Sequence, residues 1–377
     1  MDFEVNRADI HESRVVDEDP PELAPGQALL RVDRFALTTN NVTYAVMGDA
    51  LKYWDFFPSS DPDVWGRIPV WGFADIIASA NDDVAAGARL YGYLPTSTHL
   101  VVTPGRVDSR GFVDTTPHRA SLPGAYNGYR RVDTGTSEDP AYEYHRMVLW
   151  PLFFTSFLID DFLDDNAFFG AQAVVVSSAS SKTAIGTAFL LHQRTPIEVI
   201  GLTSTRNVAF VEELGVYDRV VPYDDVDELG GERAAFVDIA GNADVRAALH
   251  HAYGDRLTHS MLVGATHWDL PRAPAAELPG ATHWDVPREP AAELPGPTPS
   301  FFFAPDQIIK RTKEWGRARL DDRAIEAWRR FAEFSDGWVK FQRGAGPDAV
   351  QSAYLELVDG RSDPTVGHVL SMWPEGS

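Results

Sequence analysis

The sequence contains no cysteine among its 377 residues. Disulfides, thiolate zinc sites, cysteine nucleophiles and iron–sulfur ligation are therefore excluded. No apolar run reaches the length of about 18 residues that a membrane-spanning helix needs, and the N-terminus lacks the basic and then apolar pattern of a secretory signal. We therefore expect a soluble, cytoplasmic protein without a membrane partner.

Positive charge is also scarce. The chain has 33 Lys and Arg against 55 Asp and Glu, which gives a net charge of -22. Nucleic acids and anionic membranes are bound through basic patches, so this balance argues against both as partners. Hydrophobic residues make up 44% of the chain and aromatic residues 11%, which fits a well-packed globular protein long enough for two domains.

Glycine is missing from one turn where it is usually found. Residues 173–176 are a β-branched run that predicts a buried parallel strand, and the apolar spacing over 183–191 predicts a helix. A strand, a small-residue turn and a helix begin a dinucleotide-binding fold, in which backbone N–H groups bind a pyrophosphate. In the spacing G-x-x-G-x-x-G the glycine positions hold Ser178, Ser181 and Ala184, which are small but tolerate positive φ poorly.

We expect the cofactor phosphates to lie on this turn and on the first residues of the helix. The residues expected to contact them are Ser178, Ser180, Ser181, Lys182 and Thr183. A nucleotide P-loop is a different interpretation of the same stretch. Its leading G-x-x-x-x-G is missing, because Val176 and Ser181 occupy the two glycine positions.

An acidic residue is lacking after the second predicted strand, 197–202. In NAD-binding proteins an acid at this point holds the ribose 2′-hydroxyl. Here Thr203, Ser204 and Arg206 offer hydrogen-bond donors and a bidentate cation, which suit the 2′-phosphate of NADP. The alternative is a solvated loop with an incidental arginine. The remaining expected cofactor contacts, in two later predicted strands, are Ala240 and Gly264.

The chain changes character near residue 145. Residues 1–145 contain predicted strands separated by Gly and Pro turns, which is typical of a compact, partly closed β-domain. Residues 146–305 alternate strands and helices, which predicts an α/β fold with a doubly wound parallel sheet. Residues 265–280 recur almost unchanged as 281–296, and their prolines favour a duplicated surface loop. Its metal-ligating side chains are His267, Asp269, His283 and Asp285, and we expect no metal there.

This order of elements resembles that of the medium-chain dehydrogenases/reductases. Residues 69–77 resemble their P-x-x-G-x-x-x-x-G-x-V segment, and residues 86–92 resemble G-D-R-V-x-G. Residues 349–370 are similar to their closing helix and strand. Where zinc-dependent members carry Gly-His-Glu, this chain has Gly-Phe-Ala at 72–74, so the similarity is greatest to the zinc-independent quinone and enoyl reductases, and within them to a bacterial family.

The resemblance implies a fold and a reaction. The fold is a Rossmann-type domain at 146–305 with a GroES-like substrate domain at 1–145, completed by 306–377. The reaction is hydride transfer from NADPH to a quinone, enone or other activated carbonyl without zinc. The resemblance also implies a homodimer through the edge strand near 300–303. An inactive nucleotide-binding member of the same fold is the alternative, which the missing glycines favour.

Without a metal, the charge that develops on the substrate oxygen must be met by O–H or N–H donors. The segment that faces substrate in the related reductases supplies Asn41, Tyr44 and Tyr53. Either tyrosine would donate to a carbonyl oxygen, and Asn41 would position the substrate or the nicotinamide amide. For each of the three residues, capping or packing is the alternative role.

Overall fold

The structure is a computed structural model. It describes residues 1–20, 22–132, 140–194, 196–263 and 294–376, with the backbone alone at 140 and 141. The chain divides into two compact units. The first unit is Met1–Val148 with Lys340–Ser377, and the second is Leu149–Val339.

The N-terminal part of the first unit is rich in strands, as the sequence predicts. The strands are β1 (Asp2–Asn6), β2 (Ser13–Val16), β3 (Ala28–Leu37), β4 (Trp65–Gly66), β5 (Pro69–Ser79), β6 (Arg89–Pro95), β7 (His99–Val102), β8 (Pro104–Asp108), β9 (Gly111–Asp114) and β10 (Gly128–Val132). The helices of this part are α1 (Thr39–Val46) and α2 (Pro140–Val148).

The second unit alternates strands with helices. Its helices are α3 (Trp150–Asp165), α4 (Lys182–Leu191), α5 (Val208–Glu213), α6 (Ala243–Tyr253), α7 (Ala304–Trp315) and α8 (Arg317–Ser335). Its strands are β11 (Ala173–Val176), β12 (Glu198–Thr203), β13 (Arg219–Pro222), β14 (Ala234–Asp238), β15 (Leu257–Leu262) and β16 (Ser300–Phe301). The chain then returns to the first unit with β17 (Lys340–Ala345), α9 (Pro347–Val358) and β18 (Val366–Ser371).

The first unit is built on one extended sheet with the order β17-β18-β3-β5-β6-β10-β9-β8, and β7 also pairs with β3. A smaller sheet has the order β2-β1-β4. Strand β3 alternates in burial, with Ala28, Leu30 and Val32 in the core, as expected for a strand with one covered face. Gly72 permits close contact between β3 and β5, because a Cβ there would lie 2.4 Å from the carbonyl oxygen of Arg34.

The second unit contains a parallel sheet with the order β13-β12-β11-β14-β15-β16. Every pairing along it is parallel. Strand order reverses at β11, which lies between β12 and β14, and the loops after these strands begin at one edge of the sheet. The predicted α/β class with a doubly wound sheet is confirmed.

The point at which the chain returns to the first unit differs from the expectation. The resemblance implied a return near residue 306, whereas the first unit resumes at Lys340. Helix α8 packs on α3 within the second unit, where the ring of Phe331 stacks on Phe153 with centroids 4.7 Å apart. The apolar face of α8 therefore completes this core, whereas α7 packs on α3 through Gln307 and Arg311, whose side chains donate to the Asp161 carboxylate. In the part of the chain that the structure describes, no helix is long and apolar enough to cross a membrane.

Candidate functional site

The turn between β11 and α4 has the geometry that the glycine spacing predicts. Ser178 has φ of 54°, in the left-handed region that glycine favours. Ser181 is the N-cap of α4 and its hydroxyl accepts a hydrogen bond from the N–H of Ala184 at 3.4 Å. The chain therefore makes the tight turn with serine in a backbone conformation that costs about 1 kcal/mol relative to glycine. Lys182 and Thr183 are the first residues of α4.

Two tyrosines that the sequence did not indicate hold this turn in place. The backbone N–H of Ser178 donates to the Tyr223 hydroxyl at 2.9 Å, and the Tyr217 hydroxyl donates to the carbonyl oxygen of Ala179 at 2.9 Å. Burial raises the pKa of both tyrosines well above the usual value, so both stay protonated. Tyr217 precedes β13 and Tyr223 follows it. Both are about 40 residues from the turn in sequence, so the motif at 173–186 does not indicate them.

A buried hydrogen-bond network joins the ends of β11 and β14. The Ser177 hydroxyl donates to Asp238 Oδ1 at 2.8 Å and accepts from the N–H groups of Ile239 and Ala240, each at 2.9 Å. Arg246 donates to Asp238 Oδ2 at 2.9 Å, and both Ser177 and Asp238 are almost fully buried. Ala240, an expected cofactor contact, is thus fixed next to the turn by its own backbone N–H.

The expected 2′-phosphate residues follow β12. Thr203 is 1% exposed and is the last residue of the strand, whereas Ser204 is half-buried and Arg206 is exposed. The Thr205 hydroxyl lies 3.4 Å from the Asp224 carboxylate. Of the three residues expected to contact the 2′-phosphate, Ser204 and Arg206 are the two that are accessible to solvent, and Thr203 is not.

Asn207 connects the two segments that are expected to contact the cofactor. Its Nδ2 donates to the Ser180 hydroxyl at 3.0 Å, across the turn after β11. The structure thus brings Ser178, Ser180 and Ser181 together with the start of the segment after β12. Gly264, and with it most of the duplicated loop including His267 and His283, lies outside the described residues.

The two expected catalytic tyrosines lie side by side in the first unit. The rings of Tyr44 and Tyr53 have centroids 4.4 Å apart, and the side chains are 5% and 7% exposed. Burial raises the pKa of both hydroxyls well above the usual range, so at neutral pH each is a hydrogen-bond donor and not an anion. Tyr53 Oη lies 3.5 Å from Tyr126 Oη.

Asn41 has a local structural role. Its Oδ1 accepts from the backbone N–H of Thr38 at 2.8 Å, and its Nδ2 donates to the carbonyl oxygen of Pro69 at 2.9 Å. The side chain is 4% exposed and helps to cap α1. This is the capping role that the sequence left open, and it fixes the start of the helix that carries Tyr44.

Further aromatic side chains surround the two tyrosines. We call Tyr44, Tyr53, Trp71, Tyr93 and Tyr126 the aromatic cluster. The rings of Tyr93 and Tyr126 have centroids 4.7 Å apart, and those of Trp71 and Tyr93 are 5.1 Å apart. Trp71, Tyr93 and Tyr126 were not expected from the sequence, because strand pairing and a distant loop bring them to Tyr44.

A buried arginine fixes one wall of the aromatic cluster. Arg119 donates to the carbonyl oxygen of Tyr126 at 2.8 Å and to the Tyr129 hydroxyl at 3.0 Å, and it pairs with Asp114 at 2.9 Å. The Tyr129 hydroxyl in turn donates to the carbonyl oxygen of Tyr93 at 2.7 Å. Arg119 therefore connects the Tyr126 loop to β6 through hydrogen bonds on both sides.

The described residues offer no cluster of metal ligands. Among the residues that the structure describes, no group of three or more His, Asp and Glu side chains is placed to hold a metal ion. Phe73, at the position where the sequence resemblance would place the histidine of zinc-dependent members, packs its ring on Tyr91 with centroids 5.2 Å apart. This position is filled by an apolar side chain that has no metal-binding atom.

The fold is that of the medium-chain dehydrogenases/reductases, as the sequence resemblance predicts. The chain belongs to the family described as protein of unknown function, DUF2855, whose model matches residues 35–363. No curated protein sequence is detectably similar to the chain.

Solved structures show the same fold over almost the whole chain. One is CurA from Vibrio vulnificus in complex with NADPH, with TM-score 0.60, 13% identity, and coverage of 95% of this chain and 94% of that chain. A quinone oxidoreductase from Pseudomonas syringae pv. Tomato DC3000 has TM-score 0.58, 13% identity, and coverage of 98% and 100%. A mutant enoyl thioester reductase from Candida tropicalis has TM-score 0.54, 11% identity, and coverage of 98% and 100%.

Proposed function

We propose that this protein is an NADPH-dependent reductase that transfers hydride to a quinone, enone or other activated carbonyl compound without zinc. The observation that carries this proposal is the turn at Ser178, which has the left-handed backbone of a dinucleotide-binding turn at the point where strand order reverses. The similar folds of CurA with NADPH and of a quinone oxidoreductase support the same cofactor and reaction class.

The second unit is the cofactor-binding unit in this proposal. The N-terminus of α4 carries the positive end of the helix dipole, and Lys182 adds a charge there, which suits a pyrophosphate. The residues proposed to contact the cofactor are Ser178, Ser180, Ser181, Lys182, Thr183, Thr203, Ser204, Arg206, Ala240 and Gly264. Arg206 and Ser204 would hold the 2′-phosphate, since no acidic residue directly follows β12.

The first unit supplies the substrate-binding groups. When bound, NADPH would supply the hydride, which carries both electrons, and a proton from water would complete the reduction. The chain itself must donate a hydrogen bond to the substrate oxygen, and Tyr44 or Tyr53 is suited to this because burial keeps each hydroxyl protonated. Asn41 acts through α1, by fixing the backbone that carries Tyr44.

An inactive nucleotide-binding protein is the second candidate function. It is favoured by the hydrogen bond from the Ser178 N–H to Tyr223, because one backbone donor of the turn already has a protein partner. The cytoplasmic location, the homodimer through β16 at the sheet edge, and the absence of zinc stay predictions.

Cofactor binding is tested by fluorescence titration of the full chain with NADPH and, separately, with NADH. We expect saturable binding of NADPH and weaker binding of NADH. No fluorescence change with either nucleotide would contradict both candidate functions. Binding of NADPH together with its oxidation by 1,4-naphthoquinone supports the reductase, whereas binding without oxidation by a quinone or an enone supports the inactive member.

A further inference from the structure

Trp71 and Tyr93 carry buried polar atoms without hydrogen-bond partners. Neither Trp71 Nε1 nor Tyr93 Oη makes a hydrogen bond of normal geometry to any residue that the structure describes. The Tyr93 side chain is 0% exposed. A buried donor without a partner costs about 1–3 kcal/mol, so an isolated protein gains nothing from retaining two of them in one place.

The two groups lie at one spot in the first unit. Trp71 on β5 and Tyr93 on β6 are directly opposite in the antiparallel pairing, with ring centroids 5.1 Å apart. The Tyr44 ring lies edge-on to the Tyr93 ring with centroids 5.8 Å apart, and its hydroxyl is close to the polar atoms of Trp71, Tyr93 and Asn40. Tyr44, the proposed hydrogen-bond donor to the substrate oxygen, therefore lies beside the two groups that lack partners.

The surroundings of these groups are flat, apolar and without net charge. Tyr126 and Tyr53 form the adjoining walls of the aromatic cluster, and Tyr126 is half-buried at its edge. The nearby guanidinium of Arg119, over the rings of Phe56 and Phe57, is neutralised by the equally buried Asp114. Aromatic walls favour a planar ligand, and balanced charge favours an uncharged one.

We propose that Trp71 Nε1 and Tyr93 Oη bind the carbonyl oxygen of an uncharged, planar substrate against the aromatic cluster, an inference that rests on the proposed reductase function. The indole N–H is only a donor, and the Tyr93 hydroxyl, which makes no hydrogen bond of normal geometry within the described residues, also donates to the oxygen. The pair fixes where the oxygen lies relative to Tyr44, and it selects compounds with an acceptor in the plane of the ring.

The test is equilibrium dialysis of the full-length protein with 1,4-naphthoquinone and with naphthalene, which has the same rings and no oxygen. The absence of cysteine prevents thiol adducts of the quinone. Tyr93→Phe keeps the ring and removes the donor, whereas Trp71→Phe replaces the indole by a smaller ring without a donor. Each should weaken the binding of naphthoquinone, relative to that of naphthalene, roughly three- to ten-fold. Tyr91→Phe is the matched control, because the Tyr91 hydroxyl bonds to the carbonyl oxygen of Arg146, and its affinity should equal that of wild type.

A water molecule is the competing occupant of this spot. If water satisfies both donors permanently, Tyr93→Phe should lower the melting temperature of the unliganded protein. If the donors await a ligand, Tyr93→Phe should melt at or above the wild-type temperature, because it keeps the ring and removes a buried group that lacks a partner. A lowered melting temperature of Tyr93→Phe with unchanged naphthoquinone affinity, or no naphthoquinone binding by wild type, would overturn the proposal.

The dialysis is carried out without NADPH. The proposed reductase function and the proposed binding role of Trp71 and Tyr93 can therefore be contradicted independently of each other. NADPH oxidation by wild type with equal naphthoquinone affinity in all variants would contradict the role of Trp71 and Tyr93 alone. Weakened naphthoquinone binding in the two variants, in a protein that does not bind NADPH, would contradict the reductase function and leave the binding pair supported.

Discussion

The hydroxyl of Tyr223 accepts a hydrogen bond from the backbone N–H of Ser178 at 2.9 Å. This bond stabilises a serine with φ of 54°, a conformation that serine adopts at a cost. The segment after β13 thereby fixes the turn after β11, and the turn keeps the shape of a dinucleotide-binding turn without its usual glycines.

Tyr223→Phe should therefore destabilise the protein. It leaves the Ser178 N–H without its acceptor, which costs about 1 kcal/mol of unfolding free energy. Chemical denaturation of wild type and variant measures the difference. Tyr142→Phe, at a tyrosine that is 39% exposed, is the control and should leave the unfolding free energy unchanged. Equal stability of all three proteins would show that the bond to Tyr223 does not hold the turn.

Arg206→Ala should reduce the preference for NADPH over NADH. Loss of a charge-assisted hydrogen bond costs roughly 1.5–3 kcal/mol, or about ten- to a hundred-fold in affinity, and NADH lacks the phosphate that makes it. Fluorescence titrations with both nucleotides give the ratio. Arg110→Ala, at an arginine whose side chain is 70% exposed in the first unit, serves as the control. An unchanged ratio in Arg206→Ala would refute the assignment of the 2′-phosphate to this residue.

Tyr44→Phe or Tyr53→Phe should lower turnover with a quinone or enone. Removing a donor to the developing oxyanion costs about a hundred- to a thousand-fold in kcat, whereas NADPH affinity should stay the same because the change is in the substrate unit. Steady-state kinetics and the nucleotide titration separate the two effects. If both single variants turn over at the wild-type rate, neither hydroxyl is the proposed hydrogen-bond donor to the substrate oxygen.

Stability should fall as the pH is lowered below 6.5, in part through His259. Burial lowers the pKa of His259 from 6.5 to about 4, and its ring stacks on Phe169 with centroids 3.9 Å apart. Between these two pKa values the unfolded chain binds a proton that the folded chain does not, so acid favours unfolding. The unfolding free energy of His259→Phe should change less between pH 6.5 and about pH 4.5 than that of wild type. An identical pH dependence would show that this imidazole does not contribute.

Much of the second unit could be predicted from sequence because its parallel strands are continuous apolar runs between turns of small residues. The stretch at 173–186 gave β11 and the first turns of α4, with Ser178 at the strained position. Tyr223 and Asn207 could not be predicted, since only the pairing of β11, β12 and β13 brings their segments to the turn.

The first unit shows the same division. Tyr44 and Tyr53 could be named from sequence because they are close together in one local segment. The contact between Trp71 and Tyr93 could not, because it depends on the register of β5 against β6. A shift of one residue would direct each side chain to the opposite face, and composition does not fix that register. The return at Lys340 was also missed, because an amphipathic pattern in α8 shows that one face is buried without showing which core buries it.

The most direct measurement is the rate of NADPH oxidation by the full-length protein, in the presence of a metal chelator, with 1,4-naphthoquinone and with the enone 3-penten-2-one. We expect oxidation that is proportional to protein concentration with at least one of the two acceptors. The rate should be lower with NADH, and the chelator should not reduce it. Tight NADPH binding without oxidation by either acceptor would contradict the reductase and identify an inactive nucleotide-binding protein.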